Sequence, residues 1–236
     1  EVTGVLPSTA WKKRAYKRPE QQRWYAGETI SLGIGQGYNN FTMLQLAHAT
    51  ATLAAGGHRH VPRVVREVRD LVHRQSRAPE TEPLSPLPLD PAHVKVILDA
   101  MGAVPTEGTG TRVFAGAPYR SGGKTGTAQA VGIRANQKYD AAKLAEHQRD
   151  HSLYVAMGPL ETPTVALAVI VENAGFGAAA AAPIARRVLD YLVAGVYPSE
   201  EDIAAVQRGQ AAAPIGTPRR VDEVEVVPVA LSGAAP

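Results

Sequence analysis

The densest group of chemically useful residues in the chain is the segment 121–128, Ser-Gly-Gly-Lys-Thr-Gly-Thr-Ala. Lys124 supplies a positive charge for an anionic substrate group, and the Thr125 hydroxyl supplies a hydrogen bond to the same anion. Gly126 carries no side chain and would let a substrate backbone approach the strand that follows. The segment therefore predicts an anion-binding strand edge. A glycine-rich turn with a solvated lysine is the ordinary alternative for so short a string.

Two other chemistries use the same residue types, and neither fits this segment. A phosphate-binding loop would end in Gly123-Lys124-Thr125, but its first glycine would fall on Pro118 and no helix start follows. Ser121 and Lys124 have the spacing of a serine nucleophile and its lysine base on one helical turn. The two glycines between them cost a helix about 1 kcal/mol each relative to alanine. Nucleotide binding therefore remains a distant alternative, and Ser121 is not expected to be a nucleophile.

Other polar residues favour structural roles. His58 and His60 are two positions apart without a third ligand, so they are expected at the surface and no metal site or cofactor is predicted. Asp150-His151 precedes a strand but has no serine elbow, which favours a structural hydrogen bond over a catalytic triad. Glu172, at the end of an apolar strand, is expected to be a paired structural acid. Gln36 and Tyr38 either line a cleft or pack in the interior, and packing is the favoured interpretation.

The composition limits the classes of protein to which the chain can belong. At 236 residues with 44% hydrophobic content, the chain is long enough to bury a substantial core. Its 25 basic residues are interleaved with 22 acidic ones and only 6% of residues are aromatic, so nucleic acid is not an expected partner. The absence of cysteine excludes disulfides, thiolate metal sites and a cysteine nucleophile. Neither a signal-peptide pattern nor a run of about 18 apolar residues occurs, and the start at Glu1 suggests a fragment.

Local signals predict the elements that must position the Lys-Thr-Gly segment. Thr42 with Gln45 forms a capping box for a helix that Gly56-Gly57 would end, and Asp90-Pro91 starts a second helix expected to end at Pro105. The glycine-rich run 30–37 is expected to be a loop, and 61–72 one or two edge strands. The remaining predictions are antiparallel strands at 125–131, 153–157 and 165–171, a helix at 179–196, a shorter helix from Ser199 with Asp202 at its third position, and a strand at 224–229.

Taken in order, the motifs resemble those of the penicillin-binding D,D-transpeptidases, whose signatures are Ser-x-x-Lys, Ser-x-Asn and Lys-Thr-Gly. Only the Lys-Thr-Gly signature is present here, and the similarity extends over roughly residues 4–197. The chain looks most like the monofunctional, elongation-specific subgroup known as penicillin-binding protein 2. The matching segments are Trp-Tyr-Ala-Gly-Glu at 24–28, Gly-Ile-Gly-Gln-Gly-Tyr at 33–38, Gln-Leu-Ala at 45–47, Gly-Thr-Gly-Thr at 108–111, Gly-Lys-Thr-Gly-Thr-Ala-Gln at 123–129, Asp-His at 150–151, Val-Glu-Asn at 171–173 and Ala-Ala-Pro-Ile-Ala at 181–185.

The resemblance implies a fold and an organisation. The fold is the penicillin-recognising α/β (α+β) architecture, an antiparallel sheet flanked by helices, of which this chain would supply the last three strands. Residues 1–197 would be the C-terminal portion of the transpeptidase domain, and residues 198–236 a short helix with an Ala- and Pro-rich tail. The nucleophilic serine and the Ser-x-Asn motif would lie upstream. Ser8 does not replace that serine, since its nearest lysines, Lys12 and Lys13, are four and five residues on.

The resemblance also implies an activity. The family transfers the acyl group of a cell-wall stem peptide to a serine and then to an amine, and β-lactams mimic the donor. Lys124, Thr125, Gly126 and Thr127 would bind substrate, and Thr127 would also give its backbone N–H to the oxyanion hole. The implied partners are stem peptides, β-lactams, the missing N-terminal half of the domain and a membrane glycosyltransferase of the elongation machinery. The implied location is the periplasmic side of the inner membrane. A non-catalytic sensor that keeps the anion-binding strand is the alternative function.

Overall fold

The computed structural model describes residues 2–131, 140, 143–210 and 212–224. Its helices are α1 Thr9–Ala15, α2 Pro19–Gln22, α3 Ala26–Gly33, α4 Met43–Ala54, α5 Pro91–Thr106, α6 Thr111–Phe114, α7 Ala181–Ala194 and α8 Glu200–Gln207. Its strands are β1 Val68–Asp70, β2 Gln75–Arg77, β3 Gly122–Ala128, β4 His151–Gly158, β5 Val165–Val171, β6 Val196–Tyr197 and β7 Arg219–Arg220. Within these ranges no helix is both long enough and apolar enough to cross a membrane.

The centre of the fold is an antiparallel sheet in the order β3-β4-β5. The predicted strands and their antiparallel arrangement are confirmed, although β3 starts three residues earlier than predicted, at Gly122, and ends at Ala128 instead of Val131. The end of β3 follows from its register. Ala128 pairs with His151, which is the first residue of β4, so β4 offers no partner beyond this point.

The core lies between this sheet and α7. Tyr154 and Ala156 of β4 point to that side and are fully buried with the α7 residues Ala181, Ala182, Ala185 and Leu189. Alanines along α7 let the helix approach the sheet closely. Phe114 of α6 stacks on Tyr154 with ring centroids 5.8 Å apart, which closes the core at the β3 side.

Helices α4 and α5 also pack on the sheet, α4 against β4 and β5 and α5 along β3. Because α7 occupies the Tyr154 side of β4 and β5, α4 lies against the opposite side. A β-carbon at Gly122 would lie 2.8 Å from Met157 Cε and 3.4 Å from Met101 Cβ, so β3 fits tightly between α5 and β4. This packing fixes the first residues of the Lys-Thr-Gly strand.

The capping residues predicted at the start of several helices are confirmed. Thr42 and Gln45 form the reciprocal capping box of α4. The Asp90 side chain accepts a hydrogen bond from Ala92 N at 2.8 Å at the start of α5, and Ser199 accepts one from Asp202 N at 3.0 Å at the start of α8. These signals act within one helical turn, which is why the sequence predicts them well.

Other boundaries differ from the prediction. Residues 30–33 belong to α3 and are not part of a loop, because Glu28 caps the helix by accepting from Tyr25 N at 2.9 Å. Helix α5 continues through Pro105 to Thr106, and α7 ends at Ala194 because Gly195 adopts φ +64°. Of the predicted edge strands at 61–72, only Val68–Asp70 is a strand, paired with β2.

The segment after Tyr197 folds back onto α7. Arg187 donates from Nη2 and Nε to the two carboxylate oxygens of the buried Asp202, at 2.6 and 2.8 Å. β6 pairs with β7, which brings Arg220 next to Val196. The domain boundary after Tyr197 stays a prediction, and nearly all of the strand predicted at 224–229 lies outside the described residues.

Candidate active site

β3 offers an open strand edge. Among the described residues it pairs only with β4, so its other edge has no strand partner. Gly122 and Gly123 are buried, Lys124 is exposed, and Thr125, Gly126 and Thr127 are half-buried. The predicted site residues therefore lie together on the accessible part of one edge strand.

The backbone of β3 alternates between its two edges. The Thr125 carbonyl accepts a hydrogen bond from Lys124 Nζ at 2.6 Å, and the Thr127 carbonyl accepts one from Gln36 Nε2 at 3.0 Å. Both carbonyls are thus engaged by groups other than β4. In an antiparallel pair only alternate residues exchange bonds with the neighbouring strand, and the N–H and C=O of one residue point to the same edge. The N–H groups of Thr125 and Thr127 therefore face the open edge.

Lys124 brings a positive charge to this edge. Side chains alternate along a strand, so Lys124 and Thr125 leave the backbone in opposite directions. The hydrogen bond from Lys124 Nζ to the Thr125 carbonyl shows that the lysine folds back around the edge, beside Thr125. Lys124 forms no ion pair with any residue that the structure describes. Its charge is available to an anion.

A second hydroxyl, Thr109, lies against the first. Thr109 Oγ1 is 3.1 Å from Thr125 Oγ1. The loop that carries it is bound to the end of α5, where Gly108 N donates to Ala103 O at 2.9 Å and Gly110 N donates to Val104 O at 3.0 Å. Thr109 was not among the site residues predicted from the sequence. The signal for it was the Gly-Thr-Gly-Thr segment at 108–111, whose glycines allow this close packing on the helix.

The loop after α3 contacts the far end of β3. Gln36 donates to the Thr127 carbonyl and stands between Gly35 and Gly37, whose φ values are +76° and +71°. Together with Asn39 and residues 128–131 these residues line a cavity of about 270 Å³. The expectation that Gln36 only packs in the interior is wrong, because its amide holds the candidate site strand.

Tyr38, in the same loop, is half-buried and packs against other aromatic side chains, in line with the favoured interpretation. It contacts the rings of Trp11, Tyr16 and Trp24 and donates from its hydroxyl to Glu28 Oε1 at 3.0 Å. Glu28 also forms an ion pair with Lys12, whose side chain is 3% exposed. Burial lowers the pKa of Lys12, but its hydrogen bonds to Glu28 and Tyr38 together outweigh this and leave the pKa raised. The same ion pair lowers the pKa of Glu28.

The loop between β5 and α7 packs against Gly126. A β-carbon at Gly177 would lie 2.7 Å from Gly126 O and 2.3 Å from Leu153 O. The backbone at Gly177 thus makes a close approach to Gly126, which the sequence did not predict.

His151 at the start of β4 accepts from Asn173 N through Nδ1 at 3.0 Å, so the predicted structural hydrogen bond is confirmed.

The remaining polar candidates lie apart from β3. His58 and His60 are exposed, as predicted. Within the described ranges, no group of three His, Asp or Glu side chains is arranged to hold a metal ion. Glu172 is exposed and makes no ion pair with another described residue, so its role as a paired acid stays a prediction.

Comparison with known proteins gives the family. Residues 12–190 match the penicillin binding protein transpeptidase domain. The chain is 37% identical over 202 residues to the peptidoglycan D,D-transpeptidase MrdA of Haemophilus influenzae, covering 85% of this chain, and 36% identical over 200 residues to MrdA of Escherichia coli K12, covering 83%. The chain belongs to the penicillin-binding transpeptidase family.

Solved structures agree with this family. The fold matches Pseudomonas aeruginosa PBP2, crystallised in complex with WCK 5153, with a TM-score of 0.64 and 34% identity over 82% of this chain and 39% of that one. The predicted family and the mixed helix and antiparallel-sheet architecture are both confirmed. The chain spans about 30% of the length of the two MrdA relatives.

Proposed function

We propose that this chain forms the strand side of the active site of a peptidoglycan D,D-transpeptidase. The edge of β3 would bind the terminal carboxylate of a stem peptide or of a β-lactam. The observation that carries the proposal is the exposed Lys124, which lies beside Thr125 on an open strand edge and makes no ion pair within the described residues. A charged donor and a hydroxyl side by side are what a carboxylate needs.

The reaction would be acyl transfer. A serine from the rest of the domain attacks the penultimate D-alanine carbonyl of the stem peptide, the terminal D-alanine leaves, and an amine of a neighbouring peptide takes the acyl group. Thr127 would donate its backbone N–H to the oxyanion that forms in this attack. Its position in the ladder supports that role, because the N–H faces the open edge. Loss of one oxyanion donor typically costs about 3 kcal/mol of transition-state stabilisation.

The rest of the domain would cover two apolar surfaces of this chain. Ile184, Val188 and Leu192 follow one another along the outer face of α7 and are 44%, 38% and 52% exposed. The edge of β5 that does not face β4 has no strand partner among the described residues. We infer that the upstream half of the transpeptidase domain packs here and brings the nucleophilic serine to β3. The periplasmic location and a glycosyltransferase partner belong to the same proposal.

The test is Thr125→Val in the complete transpeptidase. The substitution removes one hydroxyl and keeps the shape of the side chain. Because a hydrogen bond to a charged group is worth about 1.5 to 3 kcal/mol, acylation by a fluorescent penicillin should slow about tenfold or more. The melting temperature should change little, since Thr125 is partly exposed.

Thr164→Val is the matched control. Thr164 is exposed and precedes β5, where its hydroxyl interacts with Gly158 O at 3.5 Å. Its acylation rate should equal that of the unmodified protein. An unchanged rate for Thr125→Val in a folded protein would remove Thr125 from the carboxylate site.

A further inference from the structure

Gln36 reaches the candidate site from a distant part of the chain. Its Nε2 donates to the Thr127 carbonyl at 3.0 Å, across 91 positions of sequence. Thr127 is the last residue but one of β3, and the pairing with β4 ends one residue later, at Ala128. An edge strand is hydrogen-bonded to only one neighbouring strand, so the peptide groups at its end have few restraints. The Gln36 amide supplies a restraint at that point.

The loop that carries Gln36 is itself held in place. Asn39 Nδ2 donates to Gln36 O at 3.0 Å and to Leu32 O at 3.4 Å, and Gln36 N donates to Ser31 O at 2.9 Å. Two residues beyond Gln36, Tyr38 is bonded to Glu28 inside the aromatic cluster. The amide of Gln36 is therefore presented by a braced loop and not by a freely rotating side chain on the surface.

We propose that Gln36 is a positioning residue for the Thr127 N–H. This inference rests on the proposed function, because it needs Thr127 to serve as an oxyanion donor. The N–H and C=O of Thr127 face the same open edge, so holding the carbonyl limits the rotation of the residue that presents the N–H. Oxyanion donors work through fixed geometry, since a donor already aimed at the developing charge needs no reorganisation during the reaction.

The test compares Gln36→Met with Gln22→Met in the complete transpeptidase. Methionine keeps the length of glutamine and removes the donor. Gln22 is also half-buried and its Nε2 also donates to a backbone carbonyl, that of Tyr16 at 2.8 Å, but it does not touch β3. Stopped-flow measurement with a fluorescent penicillin gives the dissociation constant of the initial complex and the rate constant of acylation separately.

Gln36→Met should lower the acylation rate constant about three- to tenfold, the range of one neutral hydrogen bond. It should change the dissociation constant less than twofold, because Lys124 and Thr125 are untouched. Gln22→Met should leave both constants unchanged. Gln36→Glu should slow acylation more than Gln36→Met, since a carboxylate cannot donate and adds negative charge beside the oxyanion.

Two results would overturn the inference while leaving the proposed function intact. One is an acylation rate constant for Gln36→Met equal to that of Gln22→Met. The other is a weakened initial complex with an unchanged acylation rate constant, which would place Gln36 in drug binding. If the unmodified transpeptidase is not acylated at all, the proposed function itself is wrong.

Discussion

A buried hydroxyl without a hydrogen bond lies directly behind the candidate site. Tyr154 pairs across the sheet with Thr125 and is fully buried, and its hydroxyl finds no partner among the described residues. Burial raises the pKa of Tyr154, so the hydroxyl stays neutral. A β-carbon at Gly123 would lie 2.2 Å from this oxygen, which explains why a glycine precedes Lys124. The ring of Tyr154 therefore supports the site strand, whereas its hydroxyl lowers the free energy of unfolding.

Tyr154→Phe should therefore stabilise the complete transpeptidase, by about 1 to 2 kcal/mol. The substitution keeps the ring that stacks on Phe114 and removes an unsatisfied buried polar group. The measurement is the free energy of unfolding in urea. Tyr119→Phe is the matched control with the opposite sign: its hydroxyl donates to the Asp190 carboxylate at 2.8 Å, so its removal should destabilise by about 1.5 to 3 kcal/mol. If both variants lose stability alike, the Tyr154 hydroxyl has a partner after all.

Between elements, one ion pair ties the N-terminal helices to the loop that reaches β3. Lys12 of α1 bonds to Glu28 of α3 and to the Arg23 carbonyl, and its ammonium lies 5.3 Å from the ring centroids of Tyr25 and Tyr38. Such a buried pair holds its elements in one arrangement, and removing one partner leaves the other charge buried without compensation. The cluster of Lys12, Glu28 and the surrounding aromatic rings thus stabilises the base of the Gln36 loop.

Glu28→Gln should lower the melting temperature at neutral pH, and the effect should vanish in acid. Because Lys12 holds the pKa of Glu28 below its ordinary value of 4.5, the carboxylate adds stability above that pH and loses it as pH falls through the lowered pKa. Thermal unfolding from pH 7 to pH 3 should show the two curves converging below about pH 4.5.

Glu161→Gln is the control for this effect. Glu161 pairs with Arg120 at 2.7 Å, but the two side chains are 54% and 65% exposed, and exposed pairs add little stability. Its melting temperature should stay close to that of the unmodified protein at every pH. A Glu28→Gln curve that follows the Glu161→Gln curve would show that the cluster does not depend on the charge.

In the molecule as a whole, the chain would supply one side of an active site, and neither Ser8 nor Ser121 is activated as a nucleophile. Ser121 is buried at the start of β3, and the Lys124 ammonium is directed to the Thr125 carbonyl. Ser8 caps α1 by accepting from Trp11 N at 3.0 Å, while the nearby Lys12 is bound to Glu28. Neither serine has a base in reach, which is the requirement for nucleophilic attack.

Residues 1–236 alone should therefore form no covalent adduct with penicillin. The measurement is intact mass spectrometry after incubation with excess fluorescent penicillin. The complete transpeptidase should gain one penicillin under the same conditions, because its upstream part is expected to supply the serine and its lysine base. A stoichiometric mass increase on the isolated chain that maps to Ser8 or Ser121 would contradict the assignment of the nucleophile to the upstream part.

Features that depend on neighbouring residues could be predicted from the sequence. The helix caps at Thr42, Asp90 and Ser199 are decided within one turn, and the strands β4 and β5 were predicted from short apolar runs. The ordered motifs around Lys124 were enough to predict the family. Where local signals compete, the sequence misled: the glycines at 33, 35 and 37 suggested a loop, but the helix that begins after Tyr25 continues to Gly33.

Which distant residues meet at the site depends on how the elements pack, and the sequence did not predict it. Thr109 lies against Thr125 because the end of α5 packs beside β3, and Gln36 meets Thr127 because the loop after α3 crosses the end of that strand. Neither contact leaves a periodic pattern in the sequence, since each joins single side chains from separate elements. Such contacts depend on how helices and strands pack, and packing is set by the whole core and not by the residues on either side.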